Sequence, residues 1–338
     1  MLKQTPRKIL MVKPSSLGDI VHALPVLDAL NRKFPLAKID WVVAKGFEGL
    51  LEQHPMINRL WIIHKDRWKN LRSLSQTAAE IRSLFQELRR ERYDLVIDLQ
   101  GLLRSGLITN ATRAPVRVGF AEAREGSRLF YTHTVKGGRD VHAVDRYLKI
   151  ASEIGCDTAP VIFPLPLLKD TDAVSRIKAE SGVYAILVPG ARWATKRWPA
   201  ERFAALAAAL PVRSIVIGSR ADTEPGLFIE KHSGGKARSL AGKTTLPELI
   251  SLTRGARLVV TNDSGPMHIA AALGIPTIAL FGPTNPVRTG PYGSNSMVLT
   301  PDLPCAPCYK KSCPSPHCME GIGVDRVLEA LRSSGTLH

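Results

Sequence analysis

Aromatic residues are scarce in this chain, 6% of 338, and that scarcity argues against a base-stacking platform for nucleic acid. Zinc-finger, RNA-recognition and basic-zipper signatures are missing too, which removes the common nucleic-acid modules. Long apolar runs are also lacking. The longest stretch without Asp, Glu, Lys or Arg, Ser264 to Val287, is interrupted by Gly265-Pro266, Gly274, Pro276, Gly282-Pro283 and Pro286. It therefore reads as helix, turn and strand rather than as a membrane span. The N-terminus carries basic residues but neither an apolar core nor a small-residue cleavage site, so no signal peptide is expected and the protein should stay in the cytoplasm. Acidic residues are in deficit, 30 against 46 basic ones, giving a net charge of +16. Such an excess points to an anionic partner. Nine Lys/Arg face four acids between Arg59 and Arg92, so part of the charge is concentrated as a local anion-binding face.

What is present is alternation. Short apolar runs at Ile9–Lys13, Ile39–Val43, Leu60–Ile63, Leu95–Asp98 and Arg117–Gly119 read as buried strands. Helical spacing falls between them, at Ile20–Lys33, Leu71–Arg92, Leu102–Ala111 and Val141–Ile154. From Cys156 the periodicity fails and prolines cluster (Pro160, Pro164, Pro166), as expected of a linker. A second series follows, with strands at Tyr184–Val188, Ser214–Ile217, Arg238–Leu240, Leu258–Thr261 and Thr277–Phe281. Its helices are Ala200–Leu210, Thr223–His232, Leu246–Arg254 and Pro266–Leu273. Strands alternating with helices mean βαβ units and parallel sheets. The expected fold is α/β: a Rossmann-like domain over 1–160, a linker over 161–180 and a second Rossmann-like domain over 181–320, facing a central cleft. A last helix within 321–338, with no strand after it, is free to pack back across that cleft.

Two strand–turn–helix units carry candidate chemistry. The first is Lys13-Pro14-Ser15-Ser16-Leu17-Gly18-Asp19-Ile20-Val21-His22, which sets Asp19 at a helix N-terminus. Taken alone, Asp19 reads as a helix cap before it reads as a catalyst. The second is Asn262-Asp263-Ser264-Gly265-Pro266-Met267-His268, a Ser-Gly turn opening a helix. Its free N–H groups and positive dipole end suit a phosphate or diphosphate, and Pro266 is tolerated in the first turn. Ligand crevices in open α/β sheets lie at the carboxyl ends of strands, where both turns fall.

Together with Ile39-Asp40-Trp41-Val42-Val43 and Tyr93-Asp94-Leu95-Val96-Ile97-Asp98-Leu99-Gln100-Gly101, these motifs closely resemble the ADP-heptose:lipopolysaccharide heptosyltransferases, glycosyltransferase family 9. The likeness runs over nearly the whole chain. The N-terminal half is more similar to heptosyltransferase I, which acts on Kdo-lipid A, than to heptosyltransferase II. The resemblance implies a GT-B fold, an ADP-heptose donor, a Kdo-lipid A acceptor and an inverting transfer without a catalytic metal. Asp19 matches the family's general base, and Ser16 beside it belongs with the acceptor site. Lys196 matches the lysine before Trp-Pro, a mobile charge suited to a diphosphate. Ala191 and Arg192 depart from the pattern, which has threonines there, so Arg192 supplies charge in place of hydroxyls. Asp222 stands where the family has a glutamate and suits ribose hydroxyls as well as a helix cap. Thr244 lies in the loop that touches adenine in relatives. Asp263 matches a sugar-hydroxyl ligand, Ser264 and Gly265 the diphosphate contacts, and His268 lies on the same helix. Arg67, Lys69 and Arg72 fall where relatives have a basic acceptor loop, and Arg124 matches an arginine in Ala123-Arg124-Glu125. An acceptor anchored in a bilayer would bring the enzyme to the cytoplasmic face of the inner membrane, where anionic lipid attracts basic segments.

Four of the five cysteines, Cys305, Cys308, Cys313 and Cys318, have C-x2-C-x4-C-x4-C spacing. This fits a structural zinc site with His317 as a spare ligand, free thiols or disulfides. Cys156 stands apart and reads as a buried residue. Competing readings are heptosyltransferase II, another nucleotide-sugar transferase on the same scaffold, or a non-catalytic protein that binds anionic surfaces or nucleic acid. The joint presence of Asp19, Lys196 and Asp263 speaks against the last.

Overall fold

Interior strands packed by helices on both faces need no polar side, and the apolar runs of the N-terminal half take that place. The computed structural model describes residues 2–64, 74–138, 140–314 and 317–336. The chain divides into two units, Met1–Pro166 and Leu167–His338.

The first unit contains β1 (Lys8–Val12), α1 (Leu17–Lys33), β2 (Lys38–Ala44), β3 (Arg59–Ile63), α2 (Leu74–Arg90), β4 (Leu95–Asp98), α3 (Leu103–Ala111), β5 (Val116–Phe120), β6 (His133–Val135) and α4 (Ala143–Glu153). The strands form one parallel sheet in the order β3-β2-β1-β4-β5-β6. Winding reverses between β1 and β4, and ligands bind outside the carboxyl ends of the strands at such a reversal. Leu10, Val12, Val42, Trp61 and Val96 form the core on one face. α1 packs against α4. Asp40 and Tyr93, both within motifs singled out above, serve this core rather than the site. The Tyr93 hydroxyl donates to Asp40 Oδ2 at 2.6 Å, Trp61 Nε1 donates to the Tyr93 oxygen at 2.8 Å, and Asn58 Nδ2 donates to Asp40 Oδ1 at 2.7 Å.

The second unit contains α5 (Asp172–Ser181), β7 (Tyr184–Val188), α6 (Ala200–Ala209), β8 (Arg213–Val216), α7 (Thr223–His232), β9 (Ala237–Ser239), α8 (Leu246–Arg254), β10 (Leu258–Asn262), α9 (Gly265–Ala272), β11 (Thr277–Leu280), α10 (Pro286–Thr289), β12 (Ser296–Leu299), α11 (His317–Glu320) and α12 (Val324–Ser333). Its parallel sheet runs β12-β11-β10-β7-β8-β9. This repeats the winding of the first, with the reversal between β7 and β10.

The structure refines three of the readings. The linker is shorter than 161–180, because the Thr171 hydroxyl accepts from the Val174 N–H at 3.3 Å and caps α5, which packs against α8 of the second unit. The final helix buries Val327, Leu328, Ala330 and Leu331 in the core of the second unit itself. Edge strands β6 and β12 escape the sequence pattern because they are short and only partly buried, so no continuous apolar run marks them. Among the described residues, no helix is long and apolar enough to cross a membrane.

Candidate active site

In the first unit the chain leaves β1, turns, and enters α1 with Ser16 as its N-cap. Both oxygens of the Asp19 carboxylate are held. Oδ2 accepts from the Ser16 N–H at 3.0 Å and from the Ser16 hydroxyl at 2.6 Å. Oδ1 accepts from the Tyr147 hydroxyl at 3.2 Å and lies 3.8 Å from Lys13 Nζ. Lys13 is 3% exposed, donates to the Leu99 carbonyl at 3.2 Å and sits 4.9 Å from the centroid of the Tyr147 ring.

The electrostatics follow from that packing. Burial pushes the Asp19 carboxyl up, but the Lys13 charge and the Ser16 hydrogen bonds outweigh it and hold the group well below the usual carboxylate range. Burial draws the Lys13 ammonium down, against the opposing pull of Asp19 and Asp98. Asp19 is thus ionised throughout the physiological range. It remains partly exposed and can accept a further hydrogen bond from a ligand.

Across the reversal, Asp98 at the end of β4 is fully buried. It accepts from the N–H groups of Gln100 at 2.8 Å and Gly101 at 3.0 Å, and from the Tyr131 hydroxyl at 2.7 Å. Burial is the largest influence on it and raises its pKa. Arg124 joins this end of the sheet through its backbone, donating to the Gly101 carbonyl at 2.9 Å, and its side chain is exposed. Arg67, Lys69 and Arg72 lie outside the described residues.

In the second unit the matching ends of β7 and β10 are tied by Asn262. Its Nδ2 donates to the Pro189 carbonyl at 2.8 Å, and its Oδ1 accepts from the Trp198 N–H at 3.1 Å. This places Lys196 beside Asp263, with Nζ 2.5 Å from Oδ2. The Thr284 hydroxyl donates to that same oxygen at 2.6 Å. Lys196 Nζ also lies 4.5 Å from the centroid of the Trp193 ring. Ser264 is the N-cap of α9 and Gly265 its first residue, so the N-terminal end of that helix opens next to Asp263. His268 is buried in the same helix.

Asp222 is buried and accepts from the Ser219 N–H at 2.8 Å and the Ser219 hydroxyl at 2.7 Å. A Cβ on Gly190 would come within 2.5 Å of its carboxylate, and one on Gly218 within 2.8 Å of its Cβ, so the two glycines make its room. Asp222 holds the N-cap position of α7 but its side chain makes no capping bond to that helix; the carboxylate instead closes back on Ser219, at the start of the short turn before α7. The loop after β9 reaches the same end of the sheet, since the Gly242 N–H donates to the Gly218 carbonyl at 2.9 Å. Beyond it, Thr244 Oγ1 is buried without a hydrogen-bond partner among the described residues. Arg192 is exposed beyond the end of β7.

The model of glycosyltransferase family 9 (heptosyltransferase) matches residues 81–319. The chain belongs to glycosyltransferase family 9. It is 36% identical, over 90% of its own length and 87% of the relative's, to lipopolysaccharide heptosyltransferase 1 of Pseudomonas aeruginosa. Among solved structures, heptosyltransferase WaaC of Escherichia coli with ADP superposes with a TM-score of 0.77, at 26% identity, covering 97% of this chain and 99% of that one. ADP-heptose lps heptosyltransferase II of Escherichia coli gives a TM-score of 0.78, at 27% identity and 97% and 98% coverage. The two parallel sheets are those of the GT-B class, and this family 9 chain is a glycosyltransferase.

Sequence reading of the family 9 motifs leaves out Lys13, Asp98, Tyr131 and Tyr147 in the first unit, and Trp193, Asn262 and Thr284 in the second. Lys13, Asp98, Trp193 and Asn262 stand inside or beside motifs already quoted, so their burial or neighbours were the missing information. Tyr131, Tyr147 and Thr284 carry no local signal at all. The cysteines form no disulfide. Among the described residues no group of three or more His, Cys, Asp or Glu side chains stands in position to hold a metal ion. Cys156 is buried, which pushes its thiol up to about 11.

Proposed function

We propose that the protein transfers heptose from ADP-heptose to the Kdo-lipid A inner core of lipopolysaccharide, with inversion at the anomeric carbon. The observation that carries this reading is the pairing of chemistries at the two sheet reversals: an ionised, partly exposed carboxylate on the first unit and a lysine beside a helix N-terminus on the second. The relatives support it, being lipopolysaccharide heptosyltransferases by name, one of them solved with ADP.

On this reading an acceptor hydroxyl docks at Asp19, which takes its proton as the oxygen bonds to the anomeric carbon. The bond from that carbon to the diphosphate breaks, and ADP leaves with the electron pair. Lys196 exchanges its contact with Asp263 for the departing diphosphate, and the first-turn N–H groups of α9 share the charge. Asp263, once released, is free to hold sugar hydroxyls. Asp222 and Thr244 line the nucleoside end, where the unpartnered Thr244 hydroxyl would find an acceptor. No step calls for a catalytic metal. Ser16, Arg124 and the basic residues Arg67, Lys69 and Arg72 are the groups proposed to bind the acceptor's carboxylates and phosphates. Because that acceptor is a lipid, the enzyme works at the cytoplasmic face of the inner membrane, drawn to anionic lipid by basic residues.

The test is turnover of ADP-heptose with Kdo-lipid A and, separately, heptosyl-Kdo-lipid A, scored by product mass. Addition of one heptose to Kdo-lipid A alone is expected. Addition to heptosyl-Kdo-lipid A alone would reassign the chain to the heptosyltransferase II reaction. No product with either acceptor would overturn the proposal.

A further inference from the structure

The cysteine-rich stretch does not stand clear of the donor site. It is bonded to the loop that carries Lys196. The Thr195 hydroxyl donates to the Lys310 carbonyl at 2.9 Å, and Cys318 Sγ lies 3.8 Å from the Thr195 carbonyl. The Tyr309 N–H donates to the Pro283 carbonyl at 2.7 Å, one residue before the Thr284 that holds Asp263. Tyr309 itself has φ +56°, a left-handed backbone that side chains with a Cβ seldom adopt. Such a turn persists where the surroundings fix it, and here the fixed turn delivers the next two residues toward the site.

The second of them is Lys311. Its Nζ lies 5.7 Å from the centroid of the Trp193 ring, whose other cation, Lys196, lies at 4.5 Å. One indole thus gathers two ammonium groups, an arrangement that the ring's negative face favours and mutual repulsion opposes. Lys196 is neutralised by Asp263. Among the described residues no carboxylate comes within ion-pair distance of Lys311, which is exposed and pays little for its charge.

We propose that Lys311 is a second diphosphate-binding cation of the donor site, carried into place by the cysteine-rich segment. The inference rests on the donor reading given above. A diphosphate carries more charge than Lys196 can offset, and an ammonium already poised at the Trp193 ring needs only a small movement to join it. The function of the segment is then to present Lys311, independently of any metal.

The experiment is calorimetric titration of ADP into the full-length protein and its Lys311→Ala, Lys311→Glu and Lys311→Arg variants at low salt. Lys311→Ala is expected to bind ADP about tenfold more weakly, the scale of one partly exposed charged hydrogen bond. Lys311→Glu should be weaker still and Lys311→Arg close to wild type, with melting temperatures unchanged. Lys231→Ala, which removes an exposed charge in the last turn of α7, should bind ADP normally. Wild-type affinity in Lys311→Glu, or equal losses in the Arg and Ala variants, would overturn the proposal. A wild-type protein that fails to bind ADP at all would instead sink the donor reading beneath it.

Discussion

Tyr147 donates its hydroxyl to Asp19 at 3.2 Å across 128 positions of sequence. The contact exists because α4 packs against α1, and it turns a helix-start carboxylate into a group held from two sides. Ser16 supplies the local bonds and Tyr147 the distant one, while the buried Lys13 lies under both the carboxylate and the Tyr147 ring. The result is an acid locked in its ionised form.

Asp19→Asn is expected to lower turnover about 100- to 10,000-fold, the range for a general base, with ADP affinity unchanged. Tyr147→Phe removes one bond to the anion, so the Asp19 pKa should rise and the acid limb of the kcat/KM profile should move to higher pH. Because Asp19 is held below its usual 3.8, its contribution to stability is present above about pH 4 and is lost as pH falls through the folded value. Tyr147→Phe should therefore cost about 0.5–1 kcal/mol, and the cost should be the same at pH 4 as at pH 7 because the folded carboxylate stays ionised across that range, read from melting curves. An acid limb that stays in place would show that the hydroxyl does not act on Asp19.

Gly190→Ala is expected to destabilise the second unit by about 1–3 kcal/mol, as overpacking of a filled site does. The new Cβ would fall 2.5 Å from the Asp222 carboxylate, which its two bonds to Ser219 prevent from swinging away. Combining Gly190→Ala with Asp222→Ala should cost less than the sum of the two single changes. Additive losses in thermal unfolding would mean the two positions do not touch.

The doubly wound architecture was legible because central strands such as Tyr184–Val188 are buried along their whole length and so print an unbroken apolar run. β6 and β12 lie at sheet edges, and α5 begins amid prolines and charges, so none prints such a run. Within the candidate sites, Asp19 and Asp263 stand in strand–helix turns that the sequence marks locally, whereas Lys196 is marked by the family resemblance. Thr284 and Tyr147 are marked by neither, since each reaches its carboxylate only after the sheet has assembled. Asp40 shows the reverse case: a residue in a telling motif whose bonds, to Tyr93 and Asn58, hold the core.

Asn262 joins the two loops of the second unit that carry Lys196 and Asp263. Its amide satisfies the Trp198 N–H and the Pro189 carbonyl together, and it is fully buried, so no water stands ready to replace it. Asn262→Ala would leave both backbone groups unpaired, at an expected cost of about 2–4 kcal/mol. Asn262→Asp keeps the acceptor for Trp198 but sets a carboxylate oxygen against the Pro189 carbonyl, so it should be no milder. Lys196 stands two residues before Trp198, and a loosened loop would let Nζ drift from its place beside Asp263. The KM for the sugar nucleotide should therefore rise at least severalfold in a purified variant assayed below its melting point. The pH at which the acid limb falls, assigned in the proposed mechanism to Asp19 on the other unit, should not move. A variant that melts lower but keeps the wild-type donor KM would confine Asn262 to holding the fold.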